Sequence, residues 1–130
     1  MNTKDKAIET VTIPLMPLRG LTVFPNMIVN FDVGRKKSFE ALMAAMSVNQ
    51  MILLAAQRDA REDDPEKDDI YEIGTAAKIK QIVHLPGESA RVLIEGVYRA
   101  RITDIISDEP FFTAVAEPCF QEGRPISATR

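Results

Sequence analysis

The sequence predicts a mainly β domain with one helix, its strands pairing antiparallel in a sheet that curls into a barrel. Three observations lead there. Apolar and polar residues alternate over short runs in several separate segments. Only one segment carries the i, i+3, i+4, i+7 spacing of an amphipathic helix. Strands do not alternate with helices, which argues against the repeated crossovers of a parallel α/β sheet. Roughly six strands, or seven, with a single helix close most simply as a barrel.

Met1 to Glu9 is charged and unpatterned, and is expected to be disordered until Thr10 to Leu15 joins the sheet. The stretch Ile13 to Val33, IPLMPLRGLTVFPNMIVNFDV, organises the rest. Pro14 and Pro17 fix their own φ and push Ile13 and Met16 into extended geometry, so this part reads as an edge strand where missing N–H donors do no harm. Gly20 permits a change of direction and Pro25 ends the connection. Met27, Val29, Phe31 and Val33 then alternate with Asn30, Asp32 and Gly34, the pattern of a half-buried strand.

The helix is expected over Ser38 to Asn49, with Phe39, Leu42, Met43 and Met46 on its apolar stripe and Ser38 as N-cap. Glu40 falls one position short of a capping box. The unbroken apolar run Met51 to Ala56 predicts a central strand buried on both faces, one of them under the helix. Gln57 to Asp69, dense in charge around Pro65, predicts a solvated loop that buries nothing.

From Tyr71, Ala77, Ile79, Val83 and Leu85 share one parity and Lys78, Lys80 and His84 the other, with Gln81 interrupting and Gly74 marking a bulge. Pro86 to Ser89 is a turn, and Ala90 to Glu95 returns with Val92 and Ile94 inward. Gly96 is expected to bend the chain sharply before Tyr98 to Ile106, where Ala100 and Ile102 oppose Arg99, Arg101 and Thr103. Phe111 to Glu117 is the last strand. The divisions are therefore 1–9, a β domain over 10–118, and the start of a linker over 119–130.

Composition excludes several functions. A chain of 130 residues with 45% hydrophobic content forms one domain. A net charge of −3 offers no long-range attraction to nucleic acid or anionic membranes. The single cysteine, Cys119, rules out an internal disulfide and fits a reducing, cytoplasmic compartment. No apolar run of about 18 residues and no signal-like leader is present, so neither export nor membrane spanning is expected.

Chemistry-bearing motifs are missing. There is no GxxxxGK[ST] run and no GxGxxG after a strand. His84 is the only histidine and lies on a lysine-bearing strand face, and no serine sits in a glycine-rich turn that would present it as a nucleophile. The acidic residues between Glu62 and Asp69 lack the glycine turn and terminal glutamate of an EF-hand. No metal, cofactor or catalytic residue is therefore assigned. Two features resist a purely structural reading. The connection Leu18 to Pro25 carries Leu21 and Phe24 beside Pro25 in a surface segment, the makings of an apolar contact patch. Arg35, Lys36 and Lys37 place three cations at a helix start, where the macrodipole disfavours them by about a few tenths of a kcal/mol each. These six are the candidate contact residues.

The run IPLMPLRGLTVFPNMIVNFDVGRKKSFEAL and the later VLIEGVYRARI, Val92 to Ile102, resemble two signatures of the N-terminal domain of the Lon family of ATP-dependent serine proteases. The resemblance covers roughly nine tenths of the chain, from about Val11 to about Glu117. It implies a six-stranded pseudo-barrel with one packed helix, related to PUA-like barrels. It also implies a non-catalytic module that engages unfolded or misfolded polypeptides and helps subunits associate. For the full-length protease it implies a hexamer that uses ATP and magnesium, with its Ser-Lys dyad in later domains. The isolated chain is expected to form a weak dimer because the apolar residues of Leu18 to Pro25 can dock on a second copy. The rival that PUA-like folds suggest is an RNA-binding module, against which the −3 charge and the lack of an aromatic stacking platform weigh.

Overall fold

The first strand, β1, spans Val11–Leu18 in the computed structural model, which describes residues 10–119. The segments 1–9 and 120–130, expected as a disordered start and a linker, lie outside the described residues. The remaining elements are β2 (Ile28–Val33), α1 (Lys36–Met46), β3 (Met51–Ala56), a 3-10 turn at Lys67–Asp69, β4 (Ile73–Leu85), β5 (Ser89–Ser107) and β6 (Phe112–Cys119). The six strands form one sheet in the order β2-β5-β4-β3-β1-β6, and a further β5–β6 pairing closes it.

β1 is not the expected edge. Val11 to Leu15 pairs antiparallel with β6, and Leu15 to Leu18 pairs parallel with β3. Pro14 and Pro17 each lie in a stretch paired on one side only, so the edge-like logic of their missing donors holds within an interior strand. The parallel pairing also corrects the wholly antiparallel expectation. It is permitted because β2 and α1 supply the long crossover a parallel pair needs. The edge falls instead to β2, whose single neighbour is the Ala90–Glu95 part of β5. The far half of β5, from Arg99 to Ser107, pairs with β6.

α1 begins at Lys36 with Arg35 as N-cap, and Ser38 is buried inside the first turn rather than capping it. The buried set is Ser38, Ala41, Leu42 and Ala45, one position off the stripe of large residues; Phe39, Met43 and Met46 pack at its margins. Small residues at the centre let the helix approach the sheet closely, and the larger ones fill the flanks. β3 is as expected: Ile52 and Leu54 join the core under the helix, and Leu53 and Ala55 the core on the opposite face.

β4 and β5 form one long hairpin. The register passes from Ile79 opposite Ile94 to Gln81 opposite Leu93, leaving Lys80 as a bulge. The bulge flips the pleat, so Ile82 packs on the core and Val83, expected inward, is exposed. A second irregularity leaves Val97 unpaired beside Gly96, within one continuous strand. Gly74 is not at a bulge either. A Cβ there would stand 2.6 Å from the Leu54 carbonyl oxygen, so glycine is present for close strand packing.

Candidate functional site

The connection between β1 and β2 is pinned to the sheet by its backbone. Val23 is buried, and its carbonyl accepts a 2.6 Å hydrogen bond from the buried Thr75 hydroxyl. The Asn26 N–H donates to the Gly96 carbonyl at 2.8 Å, and the Gly96 N–H donates to the Met27 carbonyl at 2.9 Å. A side chain at Gly96 would collide with the Phe24 carbonyl. Gly20 and Asn26 take left-handed conformations, φ 69° and 75°, that turn the chain at either end of this segment. Removing the Thr75 hydroxyl with Thr75→Val leaves the Val23 carbonyl without its partner. A loss of about 1–2 kcal/mol in urea denaturation is expected.

Held this way, the connection walls a cleft of about 450 Å³. Leu18, Leu21 and Val23 form one side, Leu54 and Ala56 the floor, and Tyr71, Ile73, Gly74 and Thr75 the other. Arg58 and Arg99 stand at its margins; the Arg58 guanidinium lies 4.7 Å from the Tyr71 ring centre and that of Arg99 5.6 Å from the Phe24 ring centre. Phe24 is 48% exposed, and Tyr71, Ile73 and Val97 are exposed as well. An apolar cleft edged by exposed aromatics, two delocalised cations and Glu72 can take apolar or aromatic side chains.

The three cations part company. Arg35 is half-buried: one guanidinium nitrogen donates to Gln57 Oε1 at 2.6 Å, the other to the Pro17 carbonyl at 2.8 Å. Gln57, itself buried, donates from Nε2 to the carbonyls of Asp59 (3.1 Å) and Glu62 (2.8 Å), and Arg19 pairs with Asp63 at 2.6 Å. Burial, then the nearby Arg19 charge, pulls the Arg35 pKa down, while Asp63 and Asp64 oppose that shift. The acidic segment is therefore docked on Arg19, Arg35 and Gln57, and Gln57 and Pro65 are buried, contrary to the expectation of a loop that buries nothing. Lys36 pairs with Glu40 and Glu88, and Lys37 with Glu109 while lying 4.8 Å from the Phe112 ring centre. These partners offset the unfavourable macrodipole term.

Of the six candidates, Leu21 lines the cleft, Phe24 stands at its rim, and Pro25 follows half-buried. Arg35 meets Leu21 across a second groove. Lys36 and Lys37 line neither. Sequence reasoning missed the opposite wall, Tyr71, Ile73, Thr75 and Arg99. The available signal was Arg99, a cation on the outward parity of its strand, and the apolar Ile73 beside Gly74. Among the described residues no helix is long and apolar enough to cross a membrane.

Comparison with known proteins agrees with this architecture. A family model described as the ATP-dependent protease La (LON) substrate-binding domain matches residues 12–128. The chain is 52% identical to the Lon protease of Clostridium acetobutylicum over 106 residues, 82% of this chain and 14% of that protein. It is 45% identical to the Lon protease of Desulforamulus reducens over 123 residues, 92% of this chain and 15% of that protein. It thus spans only 14–15% of the length of these relatives. Among solved structures, the N terminal domain of Mycobacterium avium complex Lon protease superposes with a TM-score of 0.64 at 19% identity, over 92% of this chain and 57% of that one. The Lon N-terminal domain protein from Xanthomonas campestris gives 0.65 at 12% identity, over 92% and 63%. At those identities the two structures speak for the fold, and the sequence matches for the family: this chain belongs to the substrate-binding domain family of the ATP-dependent protease La, Lon.

Proposed function

We propose that this chain is the non-catalytic part of a longer Lon-type protease that captures unfolded or misfolded polypeptides through the cleft beside the β1–β2 connection. The supporting observation is that cleft, about 450 Å³ with Leu21, Val23 and Ile73 in its walls and Phe24 exposed at its rim. Unfolded chains expose apolar side chains that native proteins bury, so an apolar cleft distinguishes the two without reading a sequence. Peptide hydrolysis by a Ser-Lys dyad, and the ATP and magnesium that drive it, belong on this reading to other segments of a cytoplasmic protease. Placing a charge in the wall tests the reading. Ile73→Glu is expected to weaken binding of labelled casein about tenfold or more in fluorescence anisotropy, since a bound apolar segment would have to desolvate the carboxylate. Unchanged affinity would remove the cleft from the account.

The same surface is proposed to bring subunits together weakly in the isolated chain and to contribute contacts in a hexamer of the longer protein. Phe24 with its exposed neighbours is a small patch, well short of the roughly 1,200 Å² that stable interfaces bury. Sedimentation should show a monomer–dimer equilibrium at high protein concentration that Phe24→Ser shifts to monomer. A monomer throughout would exclude self-association by this patch.

A further inference from the structure

β2 is the strand with a single neighbour, and its hydrogen-bonding phase can be read from its start. The Gly96 N–H donates to the Met27 carbonyl, and alternation along an antiparallel ladder then turns the N–H and C=O groups of Val29, Phe31 and Val33 towards β5. Those of Ile28, Asn30 and Asp32 point away from the sheet. Among the described residues no strand and no loop backbone takes them up. Such a row is a template for another strand.

Beside the far end of this edge, from Phe31 to Gly34, lies a groove of about 430 Å³ between β2 and the end of β1, where Leu21 and Phe31 contribute apolar surface and the start of α1 closes one end; Ile28 and Asn30 continue the edge beyond it. The facing edge of β1 cannot pair back. Pro17 has no N–H, and its carbonyl is already bonded by Arg35. The charges at the groove are paired. Asp32 is held by Arg91 at 2.8 Å, and Arg19 by Asp63 at 2.6 Å, a carboxylate 88% exposed and so open to competition from another acidic side chain.

Given the polypeptide-binding reading above, we propose that an extended segment of an unfolded polypeptide adds as a strand to the free edge of β2. Its backbone pairs with Ile28, Asn30 and Asp32, its apolar side chains meet Leu21 and Phe31, and an acidic side chain replaces Asp63 on Arg19. Backbone pairing carries affinity without sequence preference, and the charge adds a modest bias towards acidic-apolar segments. Leu21 lines both this groove and the cleft, so one bound segment can engage both.

The test uses the whole 130-residue chain with casein as the unfolded probe. Asn30→Pro removes an N–H that the β2–β5 ladder does not use, at an edge position where proline is tolerated. It should weaken casein binding by about tenfold, the upper range for one lost bond, while Asn30→Ala stays within about twofold. Amide exchange on the unmodified chain decides the matter if Asn30→Pro does not fold. Ile28, Asn30 and Asp32 should gain protection when casein binds. If their exchange is unchanged while residues of the cleft respond, strand addition is overturned and the cleft reading stands; if nothing responds, both fall. For the charge, a nine-residue peptide of alternating Thr and Val with a central Glu should bind up to about fivefold tighter than its central-Lys counterpart. Equal affinity would overturn the role of Arg19.

Discussion

Gly96→Val is expected to lower the stability of the chain by about 3 kcal/mol and to abolish polypeptide binding with it. Glycine is required there by contact rather than by backbone conformation. The Phe24 carbonyl lies where a Cβ would be, and the Gly96 N–H and C=O are the groups that hold Met27 and Asn26. A β-branched side chain must therefore push away the connection that walls the cleft, breaking two backbone hydrogen bonds and exposing Val23. Thermal denaturation checks the stability, and casein binding below the melting temperature checks the site. A variant that melts with the unmodified chain would mean that the connection does not lean on β5.

Arg35→Ala should cost about 2–3 kcal/mol, because it leaves the buried Gln57 Oε1 and the Pro17 carbonyl without their donor. The effect should spread along the chain. Gln57 holds the carbonyls of Asp59 and Glu62, so its release frees the acidic segment, and limited proteolysis should then cut between Arg58 and Glu66. Arg35→Lys should recover less than half of the loss, since an ammonium cannot span two acceptors as a planar guanidinium does. Resistance to proteolysis in Arg35→Ala would show that Arg19 alone suffices to dock the segment.

Local patterns in the chain disclosed most of the elements, and long-range pairing accounts for most of what they did not. The alternation from Met27 to Val33, the apolar run Met51 to Ala56 and the turn Pro86 to Ser89 each hold in the structure, because each depends on neighbours in sequence. The parallel pairing of Leu15 to Leu18 with β3 depends on a partner almost forty residues away, and no local pattern encodes it. The inward turn of Ile82 follows from one unpaired residue, Lys80, which periodicity registers only as an interruption at Gln81. Gly74 reads as a bulge, whereas at both Gly74 and Gly96 another backbone comes too close for a side chain. The candidate site divides in the same way. Leu21 and Phe24 stood out as apolar residues in a surface connection, while the opposing wall of Ile73, Thr75 and Arg99 is set by strand register more than fifty residues on.

The cleft between the connection and β4 is proposed to receive unfolded polypeptide. Selective methyl labelling tests it directly, because Leu21, Val23, Leu54 and Ile73 report from its walls and Leu42 and Val92 from the core beneath the helix. On titration with casein, the four cleft methyl groups should shift together along one binding curve while Leu42 and Val92 stay still. Shifts confined to other surfaces, with those four unmoved at saturation, would contradict it.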